Sequence, residues 1–245
     1  MANWAPDTWH VFQKLVEQVK EKVGSSAKGL DLGAGEGFFT KCCQENGLDV
    51  VALEGAKSAV KWGRQNLGID SRVHNLKARL PFEGRSQNFV MYHNVYEHVP
   101  GDININVFQE AWRVLKPNGI FWIFSTCKYD LVGSQELEHI NNPSPSELWR
   151  LGKTFGFQPT IRKPGFNISI FTPRIYDRDF NVTPFKKKIR LFVKKHVFSI
   201  SLIFAPIWVP LWYVNSRFLH LGVLDCFCGG SNVLFHKPTD EELSE

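Results

Sequence analysis

Apolar positions along this chain switch between two periods. Over residues 8–23, Phe12, Leu15, Val16, Val19 and Val23 recur at helical spacing, with Asp7 placed to cap the helix and Gly24-Ser25-Ser26 to end it. Short apolar runs then predict strands at Gly29–Leu32, Leu48–Glu54, a weaker stretch about 72–76, Gln87–His93 and Gly119–Ser125. Helical patterns fall between them. One runs to about Asn46, and a second carries Val60, Gly63 and Leu67 on one face. A third covers 103–116, with Asp102 as its cap and Pro117-Asn118-Gly119 as its stop. Further on, Ser144-Pro145-Ser146-Glu147 carries a cap, a first-turn proline and the acid of a capping box, followed by Leu148, Leu151 and Phe155 on one face. A strand over 158–163 and a last one at Ser231–Lys237 complete the series.

Strands alternating with helices predict an α/β protein with a mostly parallel, Rossmann-like sheet and helices on both faces. Ligands of such sheets bind beyond the carboxyl ends of the strands. Three features fall at those ends: the turn after Leu32, the acid Glu54, and the segment Asn94–His98. The turn reads Asp31-Leu32-Gly33-Ala34-Gly35-Glu36-Gly37 and leads into a helix. Its glycines permit positive φ and close approach of a ligand to the backbone, and a helix N-terminus offers unpaired N–H groups. A dinucleotide-binding turn of the G-x-G-x-x-G type needs its third glycine where Phe38 stands. Glu54 ends the next strand, where an acid can accept from both hydroxyls of a ribose.

Composition changes this picture in two places. The 245 residues suit one α/β domain with an insertion, and at 43% apolar and 22% charged they can bury a sizeable core. Five cysteines, an odd number without a framework, predict reduced thiols and a cytoplasmic setting; the N-terminus lacks a basic-then-apolar leader. Cys226 and Cys228 are too close for an ordinary zinc clasp. The net charge of +5, however, belongs to one segment. Between Asp179 and Asp225 there are seven basic residues and no acid; without those seven the chain holds 22 Lys and Arg against 24 acids. Val197–Ser216 then runs for 20 residues without a charge, interrupted by Pro206 and Pro210.

Such a length meets the criterion for a membrane span. A single crossing would nevertheless put Ser231–Lys237 across the membrane from its own sheet. A basic stretch, Lys186–Lys195, beside apolar bulk fits instead a peripheral contact of 185–224 with an anionic membrane, at the inner face, or a cap over the substrate cleft. No nucleic acid is expected, because the basic residues border aliphatic bulk without a reading motif. The chain therefore divides into an N-terminal amphipathic helix (1–27), a core (28–170), a basic-hydrophobic insertion (171–228), and a final strand with a polar tail (229–245).

Taken together, Leu30–Gly37, Glu54, Leu80-Pro81-Phe82, Tyr96-Glu97-His98-Val99 and Glu110–Gly119 resemble, in order, the class I S-adenosylmethionine-dependent methyltransferases. The likeness is strongest to the branch acting on quinone precursors and other small molecules, and His139–Pro145 resembles a substrate-side element of that branch. The resemblance implies a Rossmann-like class I methyltransferase fold and S-adenosylmethionine as cofactor. It implies that Asp31, Gly33, Gly35 and Gly37 shape the pocket around the methionine part, that Glu54 holds the ribose, and that Asn75 and Asn94 lie along the cofactor. Two positions depart from the family: Asn75-Leu76 stands where an Asp often meets adenine, and Gln87-Asn88 where Phe-Asp is common.

Some relatives carry Glu-x-x-Glu-His for a divalent metal. Here the first Glu is Asn94, and loss of a hard anionic ligand predicts no metal. An oxygen nucleophile requires a proton acceptor, for which Glu97, His98 and His139 are the candidates, with His93 a fourth. The expected activity is methyl transfer to a small-molecule or lipid-linked acceptor. The contrasting readings are a nicotinamide-dependent oxidoreductase and a non-catalytic, membrane-docked cofactor-binding module.

Overall fold

The structure, a computed structural model, describes residues 6–126, 138–161 and 231–244. The predicted insertion and the apolar run 197–216 lie outside the described residues. Helix α1 (Pro6–Val23) leads into strand β1 (Lys28–Leu32), helix α2 (Phe38–Glu45), β2 (Asp49–Glu54), α3 (Lys57–Leu67), β3 (Ser71–Val73) and β4 (Gln87–His93). A 3-10 turn, Tyr96–His98, precedes α4 (Gly101–Val114), β5 (Leu115–Ser125), α5 (Pro145–Thr154), β6 (Gln158–Ile161) and β7 (Ser231–His236). The seven strands form one sheet in the order β3-β2-β1-β4-β5-β7-β6. The first five are parallel, and β7 runs antiparallel between β5 and β6.

Side-chain alternation along the central strands builds a core on each face. On β4, Phe89 and Met91 point to one side and Val90 and Tyr92 to the other; on β5, Ile120 and Trp122 part from Phe121 and Ile123 in the same way. Helices α1 and α2 cover the first face, with Phe12, Leu15, Val16 and Val19 packing beside Phe39, Cys42 and Cys43. Each such fully buried side chain contributes about 1.5–3 kcal/mol relative to leaving it in water. The second face is closed by α4 and α5 through Val107, Phe108, Ala111 and Leu148. The α1 stripe read from the sequence packs against the sheet.

The capping box at α5 is present: the Ser144 hydroxyl accepts from the Glu147 N–H, and the Glu147 carboxylate accepts from the Ser144 N–H. The start of α4 differs from expectation. Pro100 occupies the cap position, and Asp102 sits in the first turn, where it pairs with Lys77 at 3.6 Å and complements the helix dipole. That helix also ends earlier, because Leu115 already pairs with Gln87 as the first residue of β5. Asn118, with φ 61°, makes the bend that the Pro-Asn-Gly sequence signalled.

Candidate functional site

Strand β1 lies between β2 and β4, so the turn that follows it is flanked by the ends of both. Gly33, Gly35 and Gly37 adopt φ of 70°, 56° and 86°. Gly33 N–H donates to Leu53 O at 2.7 Å, tying the turn to β2. A Cβ on Gly33 would lie 2.5 Å from Val95 Cγ2, so the turn also touches the segment after β4. Gly37 caps α2 in the left-handed conformation with no side-chain bond to the helix N–H groups. Beside the turn, Glu54 accepts from Gly35 N–H through Oε2 and from Ala56 N–H through Oε1, both at 2.8 Å. Each oxygen thereby keeps a lone pair, which fits a carboxylate that must also hold two hydroxyls.

Asp31 lies beneath this turn rather than at its mouth. It is 3% exposed, and its carboxylate accepts from the Thr40 hydroxyl at 2.8 Å, joining β1 to α2. Burial pushes its pKa up to about 6; the Glu54 charge adds to the rise, and the Thr40 bonds oppose it. After the end of β3, exposed Asn75 accepts through Oδ1 from the Lys77 N–H, two residues on, at 3.0 Å. Next to it, His74 keeps a buried Nε2 with no partner.

The second half of the site begins at Asn94, exposed and at φ 52°, whose N–H donates to Phe124 O at 2.9 Å. The reversal of direction there opens the 3-10 turn that buries Glu97 to 1% exposure. The Glu97 carboxylate accepts from Ser125 Oγ–H at 3.0 Å and Thr126 N–H at 3.4 Å, while its carbonyl accepts from Ile140 and Asn141 N–H. This brings His139 against His98, with ring centroids 4.6 Å apart and planes at 72°. One donor atom from each of Glu97, His98 and His139 lies within 4.8 Å of the others. Among the described residues this is the one group of three able to share a cation. Two imidazoles and a carboxylate also make a proton-accepting cluster. The expectation of a metal-free site rested on Asn94 alone, without the long-range approach of His139.

His93 is not part of this cluster. Its ring lies between Phe12 at 5.9 Å and Phe124 at 5.3 Å, on the α1 side of the sheet, and burial pushes its pKa down to about 4. A depressed histidine stabilises the fold above its unfolded value of 6.5, and that contribution is lost as pH falls through about 4. Asp31 acts oppositely: its contribution is present below 3.8 and lost as pH rises through about 6. His93→Phe keeps Asp31 and removes the first term. Between pH 6.5 and 4, the stability of wild type relative to His93→Phe should therefore fall, by on the order of 2 kcal/mol, in urea titrations across that range. A difference independent of pH would contradict the assignment.

Sequence reasoning missed the residues that brace the cluster. Buried Asn104 accepts from Tyr92 O–H at 2.9 Å and donates to the carbonyls of Tyr96 and Val99. Asn141 donates through its side chain to Val99 O. Asn104 carried a readable signal, a polar residue on the stripe of Val107, Phe108 and Ala111. Ser125 and Thr126 carried none, whereas Asn141 and Asn142 lie in the His139–Pro145 stretch that resembles a substrate-side element.

The mostly parallel sheet, with a glycine turn after β1 and an acid ending β2, has the Rossmann-like fold seen in S-adenosylmethionine-dependent methyltransferase structures. Residues 30–123 match the family described as "Methyltransferase domain". An uncharacterized methyltransferase from Mycobacterium sp. (strain JLS) is 26% identical over 133 residues, which is 54% of this chain and 52% of that protein. A second, from Mycobacteroides abscessus, is 27% identical over 180 residues, 71% of this chain and 67% of that protein. The chain thus spans about half the length of the first relative and two thirds of the second. The crystal structure of a SAM-dependent methyltransferase from Archaeoglobus fulgidus shares the fold at a TM-score of 0.57, with 14% identity over 94% of each chain. Residues 30–123 therefore lie in a class I methyltransferase domain, and its cofactor is S-adenosylmethionine.

Proposed function

We propose that this protein transfers a methyl group from S-adenosylmethionine to a hydroxyl-bearing acceptor, a small molecule or the head of a lipid-linked one, with Glu97, His98 and His139 receiving the proton. The contact of His98 with His139 beside buried Glu97 carries this reading. S-adenosylmethionine, when bound, supplies the electrophilic methyl group. The positive-φ glycines and Glu54 fit its amino-acid and ribose parts. The protein's share of the work is alignment, exclusion of water and removal of a proton from an oxygen of high pKa. The oxidoreductase alternative loses support from Phe38 at the third-glycine position and from the matched family.

The apolar and basic content of 185–224 supports a lipid-linked acceptor met at an anionic membrane surface. Among the described residues no helix is long and apolar enough to cross a membrane.

Incubation with methyl-labelled cofactor and separate lipid, metabolite and RNA extracts tests both parts. Label is expected in the lipid or small-molecule fraction, as an alkali-stable ether. His139→Gln is expected to reduce transfer by about 10²-fold or more, the range of general-base catalysis. Full transfer by that variant would remove the base assignment, and label only in RNA would remove the acceptor. Sedimentation with anionic liposomes should fall on Lys186→Glu, Lys187→Glu and Lys188→Glu; unchanged binding, or none in wild type, would remove the membrane contact.

A further inference from the structure

We propose that Asn104 and Asn141 are positioning residues that, by sharing the Val99 carbonyl, set the ring of His98 against that of His139. The use made of the pair rests on the proton-acceptor reading above; the geometry of the pair does not.

His98 is held through the residues on either side of it. Before it, the Glu97 carbonyl accepts from Ile140 N–H at 2.8 Å and from Asn141 N–H at 3.1 Å. After it, the Val99 carbonyl accepts from the Asn141 side-chain amide and from Asn104 Nδ2, the latter at 3.4 Å. A carbonyl oxygen has two lone pairs, so Val99 O can take both amides. The segment that follows His139 thus grips the chain on both sides of His98. A single grip at Glu97 would let the two segments pivot about that point. The second, at Val99, fixes their relative direction, and with it the 72° between the ring planes.

Asn104 supplies the fixed end of this arrangement. It lies near the start of α4, is 1% exposed, and reaches Tyr96 O at 3.1 Å as well as Val99 O, so it spans the 3-10 turn. Carbonyls only accept. The group that faces both must carry two donors, which among uncharged side chains only a primary amide does. That leaves Oδ1 for Tyr92, whose hydroxyl donates to it at 2.9 Å. Burial first, and the Glu97 charge after it, push the Tyr92 pKa up, so the hydroxyl keeps the proton that it donates. A continuous path of bonds then runs from β4 through α4 and the Val99 carbonyl to the segment carrying His139. Replacing either asparagine by leucine, of similar shape, removes its donors and breaks that path.

Nuclear Overhauser spectra of the full chain, labelled with ¹³C-histidine, read the contact directly, with each ring assigned by its loss in His98→Gln or His139→Gln. Wild type should show an effect between the two rings, whose centroids are 4.6 Å apart. Asn141→Leu, at a half-buried position, should lose it. S-adenosylhomocysteine affinity should be unchanged in that variant. Transfer of label from methyl-labelled cofactor into the combined lipid and metabolite extracts should fall roughly 10-fold or more. The double variant with Asn104→Leu should transfer no less than the poorer single variant, because both act through one carbonyl. Absence of the ring–ring effect in wild type would overturn the proposal, as would its persistence in Asn141→Leu. Losses that multiply in the double variant would overturn the shared junction. A fall in S-adenosylhomocysteine affinity in Asn141→Leu would place Asn141 in the cofactor site, against the proposal. Should Asn104→Leu not fold, wild type and Asn141→Leu decide alone. A lost ring–ring effect with transfer unchanged would sink only the base reading and leave the positioning standing.

Discussion

Gly33→Val is expected to lower stability by about 2–5 kcal/mol and to abolish S-adenosylhomocysteine binding. Two costs add. At φ 70° a residue with a Cβ, above all a β-branched one, is strained by roughly 1–2 kcal/mol. The new side chain also meets Val95, whose Cγ2 would be 2.5 Å from its Cβ, and forced overpacking costs typically 1–3 kcal/mol. Val95 sits between Asn94 and the turn that carries Glu97 and His98, so relief of the clash displaces both halves of the site. Gly35→Ala provides the comparison. Its Cβ would meet nothing within 4 Å, and only the strain at φ 56° remains. Denaturant titration and calorimetry should place Gly35→Ala well above Gly33→Val in stability. Equal stability of the two would mean that the contact with Val95 has no consequence.

Glu54→Gln is expected to weaken S-adenosylhomocysteine binding by roughly 10–10²-fold and to lower the stability of the fold by about 1.5–3 kcal/mol. The carboxylate accepts from two backbone N–H groups on its two oxygens, at Gly35 and Ala56. An amide keeps one acceptor and turns an NH₂ toward the other N–H. The turn loses a charge-assisted bond, worth about 1.5–3 kcal/mol, and a ribose loses one of its two acceptors. Calorimetric titration of the purified chain measures this. Wild-type affinity in Glu54→Gln would remove Glu54 from the cofactor site, and binding of NAD in place of S-adenosylhomocysteine would reopen the oxidoreductase reading.

These effects trace to residues that were legible without coordinates. The apolar run Phe89-Val90-Met91-Tyr92 predicted a strand, and the Ser144–Glu147 pattern predicted a capped helix; both are found as read. Asp102 was misread because a favourable acid in a first turn and a capping acid look alike in sequence, and Pro100, two residues earlier, took the cap. Asn75 remained a cofactor candidate on position alone. Its side chain closes a local turn, competing with any ligand for Oδ1.

By itself the sequence determined what depends on local period and backbone freedom. That covers the alternation of strands and helices, the glycine turn, and an acid at the end of the next strand. Positive φ and side-chain periodicity are properties of short segments, and they survive without a fold. Which histidines meet was decided only by the tertiary structure. His93, the last residue of β4, points to the α1 face and packs between Phe12 and Phe124, whereas His98 follows the reversal at Asn94 and lies against His139. That meeting depends on the bonds from Glu97 to Thr126, Ile140 and Asn141, contacts between segments distant in the chain, which no local pattern encodes.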